Sequence, residues 1–538
     1  MKKRIYRWIL LTVALVSLFS LFAPAALAAE QSVAGETVID FYPDYEPEDS
    51  ADAEAAAEKN PVIAAIESAN QAVNSFAWGP IMLVLLVGTG IWFTIRSGFF
   101  QFAKFGHVLK NTVGKLFHKE KKETSEKGAI TPFQALTTAM AGTVGTGNIA
   151  GVAGAIVLGG PGAVFWMWVS ALFGMMTKFS EVVLSIRYRE KDAKGEWVGG
   201  PMYYIKNGLG RKWKWLAVIF SLLGALAAFG IGNMTQVNTI AETFVNAADT
   251  ITATTIAGTQ TEMIIRIVIG VVIAAIAAVV IIGGVTRIGK VTEKLVPFMS
   301  VFYIVGALII VFANIEKIGS VFATIFQAAF APRAMIGGVG GFLFLNTIKR
   351  GVSRGVFSNE AGLGSAPIAH ASSSELNPVK QGLYGIFEVF MDTIVICTLT
   401  ALVVLMSGIV VPWGNENMAG AQVTVSAYGS VFGAEFASIF VAVAILCFAL
   451  STMLSWALYG QRCFGFLTGN RGIKIYQIIF ILVIVAGATM NLKLVWDIAD
   501  TLNGLMAIPN LIALLGLSGV VIRLLKEYRS ELRMPKQE

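Results

Sequence analysis

The sequence predicts an all-α polytopic membrane protein of eleven transmembrane helices. One leading helix is followed by a 5+5 inverted repeat, and each repeat begins with a discontinuous helix. Three observations predict this. Of 538 residues, 55% are hydrophobic and 14% charged, with a mean hydropathy of +0.69, whereas a soluble chain carries about a quarter charged residues. The apolar runs can cross a hydrocarbon layer of about 30 Å, and they are continuous rather than alternating, which argues against a β-barrel. Two of them are interrupted by glycine clusters, five runs apart.

The spans fall near residues 78–98, 132–158, 163–187, 213–244, 263–283, 294–314, 333–356, 382–411, 430–461, 473–490 and 495–524. With the mature N-terminus outside, the basic connections "KNTVGKLFHKEKKETSEKG", "RYREKDAKGEW", "TRIGKVTEK", "KRGVSRG" and "QRCFGFLTGNRGIK" are all cytoplasmic. So is the tail "RLLKEYRSELRMPKQE". External connections such as "GGPGA" and "NAADTITATTIAGTQTE" are much less basic, as the positive-inside rule requires. The net charge of +7 is therefore topological bias, and no basic patch interleaved with aromatics points to nucleic acid.

At the N-terminus, "MKKRIYRW", an apolar run and "APAALAA" read as a signal peptide over 1–28, with cleavage before Ala29; an uncleaved anchor is the alternative. An acidic exported tail is expected over 29–76, poorly ordered through the acidic stretch that ends at Asn60. The leading helix and a basic cytoplasmic loop occupy 77–130, the two five-helix repeats 131–320 and 321–525, and a cytoplasmic tail 526–538. The processing signal suits a bacterial plasma membrane.

Cys397, Cys447 and Cys463 lie in or at the end of apolar runs without metal or redox spacing. His107 and His118 flank a lysine run and read as solvated, and with His370 they are too scattered for a metal site. HExxH, paired catalytic aspartates and a Walker GxxxxGK[ST] do not occur, so an intramembrane enzyme or ATP-driven pump is disfavoured.

The first interruption is "AGTVGTGNIAG", Ala141 to Gly151, and the second "IGGVGGFLFLN", Ile336 to Asn346. A helix broken inside a bilayer exposes N–H and C=O groups that must face protein, water or a ligand. N–H groups at a half-helix N-terminus suit a carboxylate, here around Thr146, Gly147 and Asn148, while freed carbonyls suit Na⁺. Close packing of small residues explains Gly142, Gly147 and Gly151, but not Thr146-Gly147-Asn148 paired with a second broken helix.

"GTVGTGNIAGVAGAIVLGGPGAVFWMWVSALFGMMTKFSEVVLSIRYR", "GGPMYYIKNGLG", "GNMTQVNTIAETF", "RGVSRGVFSNEAGLGSAPIAHA" and "SWALYGQRC" resemble, in order, shared blocks of the alanine or glycine:cation symporters, also called sodium:alanine symporters. The resemblance covers about residues 75–525. It implies the amino-acid–sodium symporter core, with one Na⁺ on the carbonyls of Ala141 and Val144 and the hydroxyls of Ser451 and Thr452. Back-bonding of those hydroxyls to a carbonyl one turn earlier is the alternative.

Further residues are candidates by type and position. Asn148 serves a second cation, orients the loop, or bonds a neighbouring helix. Asp392, near mid-span, ligates a second cation, carries a proton or pairs with a base; Glu388 lies one turn away. Phe229, Asn233 and Gln236 recur at helical spacing and line the pocket or pack helices. Trp456 caps the site, and Gly337, Gly338, Gly340, Gly341 and Phe342 form its opposite wall, leaving room for a small side chain. Arg354, Asn359 and Glu360 form an inner gate of ion pairs or a capping network, joined by Glu181 and Arg187.

These features predict a secondary active transporter that imports a small neutral amino acid, alanine or glycine, with Na⁺ by alternating access. No organic cofactor is expected. Proton coupling through Asp392 or Glu388, and a non-transporting amino-acid sensor, are the alternatives.

Overall fold

The computed structural model describes residues 61–114, 129–330, 338–411, 413–415, 420–490 and 493–532. The expected signal peptide, the acidic segment through residue 60, His118 and Gly337 lie outside the described residues. At Gly340, Gly341 and Phe342 only the backbone is described.

Helices account for nearly all of the described chain. The principal ones are α1 (Pro61–Ala77), α2 (Pro80–Arg96), α3 (Pro132–Thr143), α4 (Val152–Gly159), α5 (Gly162–Tyr188), α6 (Lys214–Phe229), α7 (Thr235–Thr252), α8 (Gln260–Ile281), α9 (Gly284–Ala313) and α10 (Ile318–Phe330). There follow α11 (Gly338–Asn359), α12 (Ala366–His370), α13 (Pro378–Val389), α14 (Thr398–Met406), α15 (Ala421–Phe432), α16 (Ala434–Thr468), α17 (Ile473–Thr489) and α18 (Lys493–Glu531). A two-stranded ribbon, Glu190–Lys191 paired with Trp197–Val198, follows α5.

Eight described segments are long and apolar enough to cross a membrane, or nine when α3 with α4, bent by 49°, count as one. The shorter α17 and the glycine-rich α11 occupy two more of the expected runs. The chain is thus a multi-pass helical membrane protein. Its most buried span is α5, 83% buried against 33% for α8, and α5 packs against α2, α11 and α13 at the centre.

Three expectations are corrected. Residues 61–76, read as exported tail, form most of α1, which docks on α18 through Asn74 Nδ2 to Thr501 Oγ1 (3.0 Å). The connection "TRIGKVTEK" is helical, because α9 starts at Gly284. From Gly338 onward the glycine cluster is helical, Gly338 to Asn359 forming one helix, and the chain breaks immediately after it, where Glu360, Gly362 and Gly364 have φ of 55°, 97° and 83°. Helix-interior glycine costs only about 1 kcal/mol, whereas left-handed residues cannot continue a right-handed helix. Gly351 and Gly355 are needed for approach instead: an added Cβ would lie 2.4 Å from the Ala163 carbonyl and 2.3 Å from Ser170 Oγ on α5.

Candidate functional site

The first break forms where expected. Thr131 starts α3 with a capping box: its Oγ1 accepts from Gln134 N–H, and Gln134 Oε1 accepts from Thr131 N–H. The entry is pinned by Ile130, whose N–H donates to the Ser372 carbonyl (3.0 Å) and whose carbonyl accepts from Ser374 N–H (2.8 Å). The helix ends at Thr143, and Val144 is extended, at φ −80° and ψ 90°. The Gly145 N–H, which a continuous helix would give to the Ala141 carbonyl, donates to Asn148 Oδ1 at 2.8 Å. The chain then re-enters helix through a π-turn, Gly147–Gly151. The first N–H groups of a helix lack intrahelical acceptors, which places those of Thr146 and Gly147 at the turn.

The hydroxyl pair of α16 faces this break. A Cβ at Gly145 would lie 2.5 Å from Thr452 Oγ1, so only glycine lets the two backbones come this close. Ser451 and Thr452 both donate to the Phe448 carbonyl, at 2.8 and 2.9 Å. This is the back-bonding alternative, and it also gathers three oxygens at one point beside the break. Phe448 is a participant that sequence reasoning missed, because a carbonyl carries no side-chain signature. One turn further on, Ser455 Oγ donates to the Thr138 carbonyl of α3 at 2.6 Å. Neutral oxygens from a hydroxyl pair and loosened carbonyls fit a hard monovalent cation.

Asp392 lies in a π-helical segment, Phe390–Cys397, between α13 and α14. It is fully buried and accepts from Asn148 Nδ2 (2.6 Å), Ser358 Oγ (2.9 Å) and Thr393 Oγ1 (2.7 Å). Among the described residues no basic group lies within ion-pair distance. Asn148 thus spans the break to Asp392, its oxygen taken by Gly145 and its nitrogen by the carboxylate. Ser358 and Phe357 were not anticipated: a Cβ at Gly147 would lie 3.4 Å from the Phe357 ring and 3.8 Å from Ser358 Cα. The aromatic beside the break is therefore Phe357.

The helical trio of span four divides. Thr146 Oγ1 donates to Gln236 Oε1 at 3.2 Å, and Gln236 Nε2 donates to the Ile231 carbonyl. Phe229 instead packs on Tyr476 and Phe480, with centroids 4.9 and 5.7 Å away, and Asn233 Nδ2 donates to the Phe480 carbonyl at 2.7 Å. The structure does not bring these two to Thr146; they hold α17. Trp456 is buried against the π-turn Gly230–Met234, where a Cβ at Gly232 would lie 2.0 Å from its own Cβ, and it packs edge-on against Tyr459.

The expected gate pairs do not form. Arg354 lies over the Phe357 ring at 5.6 Å, Asn359 caps the end of α11 by accepting from Ala361 N–H, and Glu360 accepts from Ser365 Oγ. The geometry is the capping alternative. Glu181 joins this network, accepting from Gly362 N–H (3.0 Å) and Asn510 Nδ2 (2.5 Å), whereas Arg187 is exposed. The cation within this layer is Lys178, fully buried, with Nζ 3.4 Å from Glu388 Oε1. Glu388 also meets His370 Nε2 at 3.1 Å, and His370 Nδ1 meets Gln381 Nε2 at 2.9 Å. Lys178 was legible as an intramembrane titratable residue but escaped notice, and His370 was weighed only as a metal ligand. His107, expected to be solvated, sits 2.9 Å from Tyr528 Oη of α18.

Two helices interrupted inside a polytopic bundle, with polar groups and backbone ends turned toward one another, define a membrane protein with a central polar site between its helices. The sequence profile of the sodium:alanine symporter family matches residues 63–538, and the chain belongs to that family. It is 49% identical over 452 residues to the sodium/alanine symporter AgcS of Methanococcus maripaludis, covering 84% of this chain and 94% of that protein. It is 44% identical to an uncharacterized transporter of Haemophilus influenzae, covering 87% and 97%. It is 38% identical to the amino-acid carrier protein AlsT of Bacillus subtilis, covering 85% and 91%. Among solved structures, MhsT in complex with L-phenylalanine aligns at 14% identity with a TM-score of 0.49, covering 73% of this chain and 97% of that one.

Proposed function

We propose that the protein is a secondary transporter that carries a small neutral amino acid, alanine first among them, inward together with Na⁺. The observation that carries this is the apposition of Gly145, at the break, to Thr452 Oγ1, with Ser451, Thr452 and the Phe448 carbonyl gathered on one turn of α16. Na⁺ sits between that turn and the Ala141 and Val144 carbonyls. The substrate carboxylate takes the N–H groups at Thr146 and Gly147, and Gln236, hydrogen-bonded to Thr146, borders it. Trp456 and, beside Gly147, Phe357 complete the walls; Gly340, Gly341 and Phe342, at the other end of the continuous helix α11, lie more than about 20 Å along it from Phe357 and stand outside the site. Eleven spans, one leading and two inverted sets of five, place the N-terminus outside and the C-terminus in the cytoplasm, in a bacterial plasma membrane. The broken helices α3–α4 and α11–α12 are then corresponding members of the two sets.

Binding of labelled alanine to the purified protein tests this reading. It should require Na⁺ and should weaken in Thr452→Ala. Equal binding without Na⁺ would defeat it.

A second reading is favoured by one observation: Asp392 is a buried carboxylate held only by neutral donors. It takes a second cation, either Na⁺ or a proton. Asp392→Asn should then change the number of cations moved per alanine, which current reversal measures directly.

A further inference from the structure

Ser451 has one hydroxyl proton and two acceptors for it. Its Oγ lies 2.8 Å from the Phe448 carbonyl and 3.3 Å from Met299 Sδ of α9. We propose that Met299 is a positioning residue for the cation site: its thioether takes the Ser451 proton and so turns the hydroxyl lone pairs toward the ion. The assignment rests on the reading that Ser451, Thr452 and the Phe448 carbonyl hold Na⁺.

A hydroxyl that ligates a cation must present a lone pair and send its proton elsewhere. The Phe448 carbonyl is a poor destination, because Thr452 Oγ1 already donates to it at 2.9 Å and the ion claims its remaining electron density. Met299 Sδ, 3.3 Å from Ser451 Oγ, supplies a second acceptor for the proton. A sulfur is weakly basic and polarizable, so it accepts this proton without competing as a ligand for a hard ion. Both residues are buried, so water does not offer an alternative.

Met299 follows Pro297 within α9. One turn later Tyr303 packs its ring against Phe448, centroids 5.4 Å apart, while its hydroxyl meets Thr400 Oγ1 at 2.7 Å. The same face of α9 therefore supports both Phe448 and Ser451.

Binding of radiolabelled Na⁺ to the purified protein, without amino acid, tests the assignment in wild type, Met299→Leu, Ser451→Ala and the double variant. Leucine keeps the volume and removes the acceptor. Met299→Leu should raise the half-saturating Na⁺ concentration roughly threefold to tenfold, the effect of one hydrogen bond, and should add nothing in the Ser451→Ala background. Met299→Gln, which retains an acceptor, should recover most of the loss and stands in if the leucine variant fails to assemble. Unchanged Na⁺ binding in Met299→Leu would overturn the proposal, as would an equal loss in both backgrounds, which marks packing alone. Wild-type protein that binds no Na⁺ would remove the cation site itself, and this assignment with it.

Discussion

Asn148 Nδ2 lies 2.6 Å from Asp392 Oδ1, inside a fully buried cluster that ties the first broken helix to the π-helical turn of another span. The same amide accepts from Gly145 N–H through its oxygen. One side chain thereby sets both the shape of the break and the position of the carboxylate.

Removing it should therefore cost function and stability together. Asn148→Ala leaves the Gly145 N–H and the Asp392 oxygen without their partner, a loss of about 1–3 kcal/mol. Uptake should fall by about tenfold or more, and the melting temperature in detergent should drop. Wild-type uptake in this variant would show that Asn148 is not the strut of the break.

Gly145→Ala tests the approach of the two helices. The new Cβ would arrive 2.5 Å from Thr452 Oγ1, and overpacking of this kind costs about 1–3 kcal/mol. The half-saturating Na⁺ concentration for uptake should rise about tenfold. Gly151→Ala, where nothing lies within 4 Å of the added atom, should change it little.

Gln236 and Asn233 separate pocket from packing. Gln236→Ala should raise the alanine KM, because Gln236 touches Thr146 (3.2 Å). Asn233→Ala should leave KM unchanged and lower stability by about 1–3 kcal/mol through the orphaned Phe480 carbonyl. Uptake titrations and thermal melts on the two variants read the difference.

How far the sequence foretold this site depends on the kind of signal. Glycine and small polar residues in an apolar run marked the first break, because unpaired backbone in a bilayer is costly enough to demand a reason. The second break escaped because glycine content alone does not stop a helix: the cluster near Gly338 is helical, while left-handed Glu360 and Gly362 end it. Helical spacing put Phe229, Asn233 and Gln236 on one face, but which neighbour that face meets is a tertiary fact. The Phe448 carbonyl and Met299 thioether carry no motif at all. Lys178 was readable, and its partners were not.

Lys178 gives a sharper test of the charged layer. Lys178→Met leaves Glu388 facing His370 without its ammonium partner (3.4 Å), and breaking a buried pair costs about 3–5 kcal/mol. The variant should lose folded protein, and Lys178→Met with Glu388→Gln should recover much of it. A double variant no more stable than the single one would show that the pair is not a unit.

Na⁺ flow should drive amino-acid uptake through the broken helix. Labelled alanine uptake into proteoliposomes, with an inward Na⁺ gradient and with K⁺ replacing Na⁺, tests it most directly. Alanine should accumulate above equilibrium with Na⁺ only, and this accumulation should be lost in Ser451→Ala/Thr452→Ala. Accumulation driven equally by a pH gradient without Na⁺, or alanine binding with no accumulation under either gradient, would contradict it.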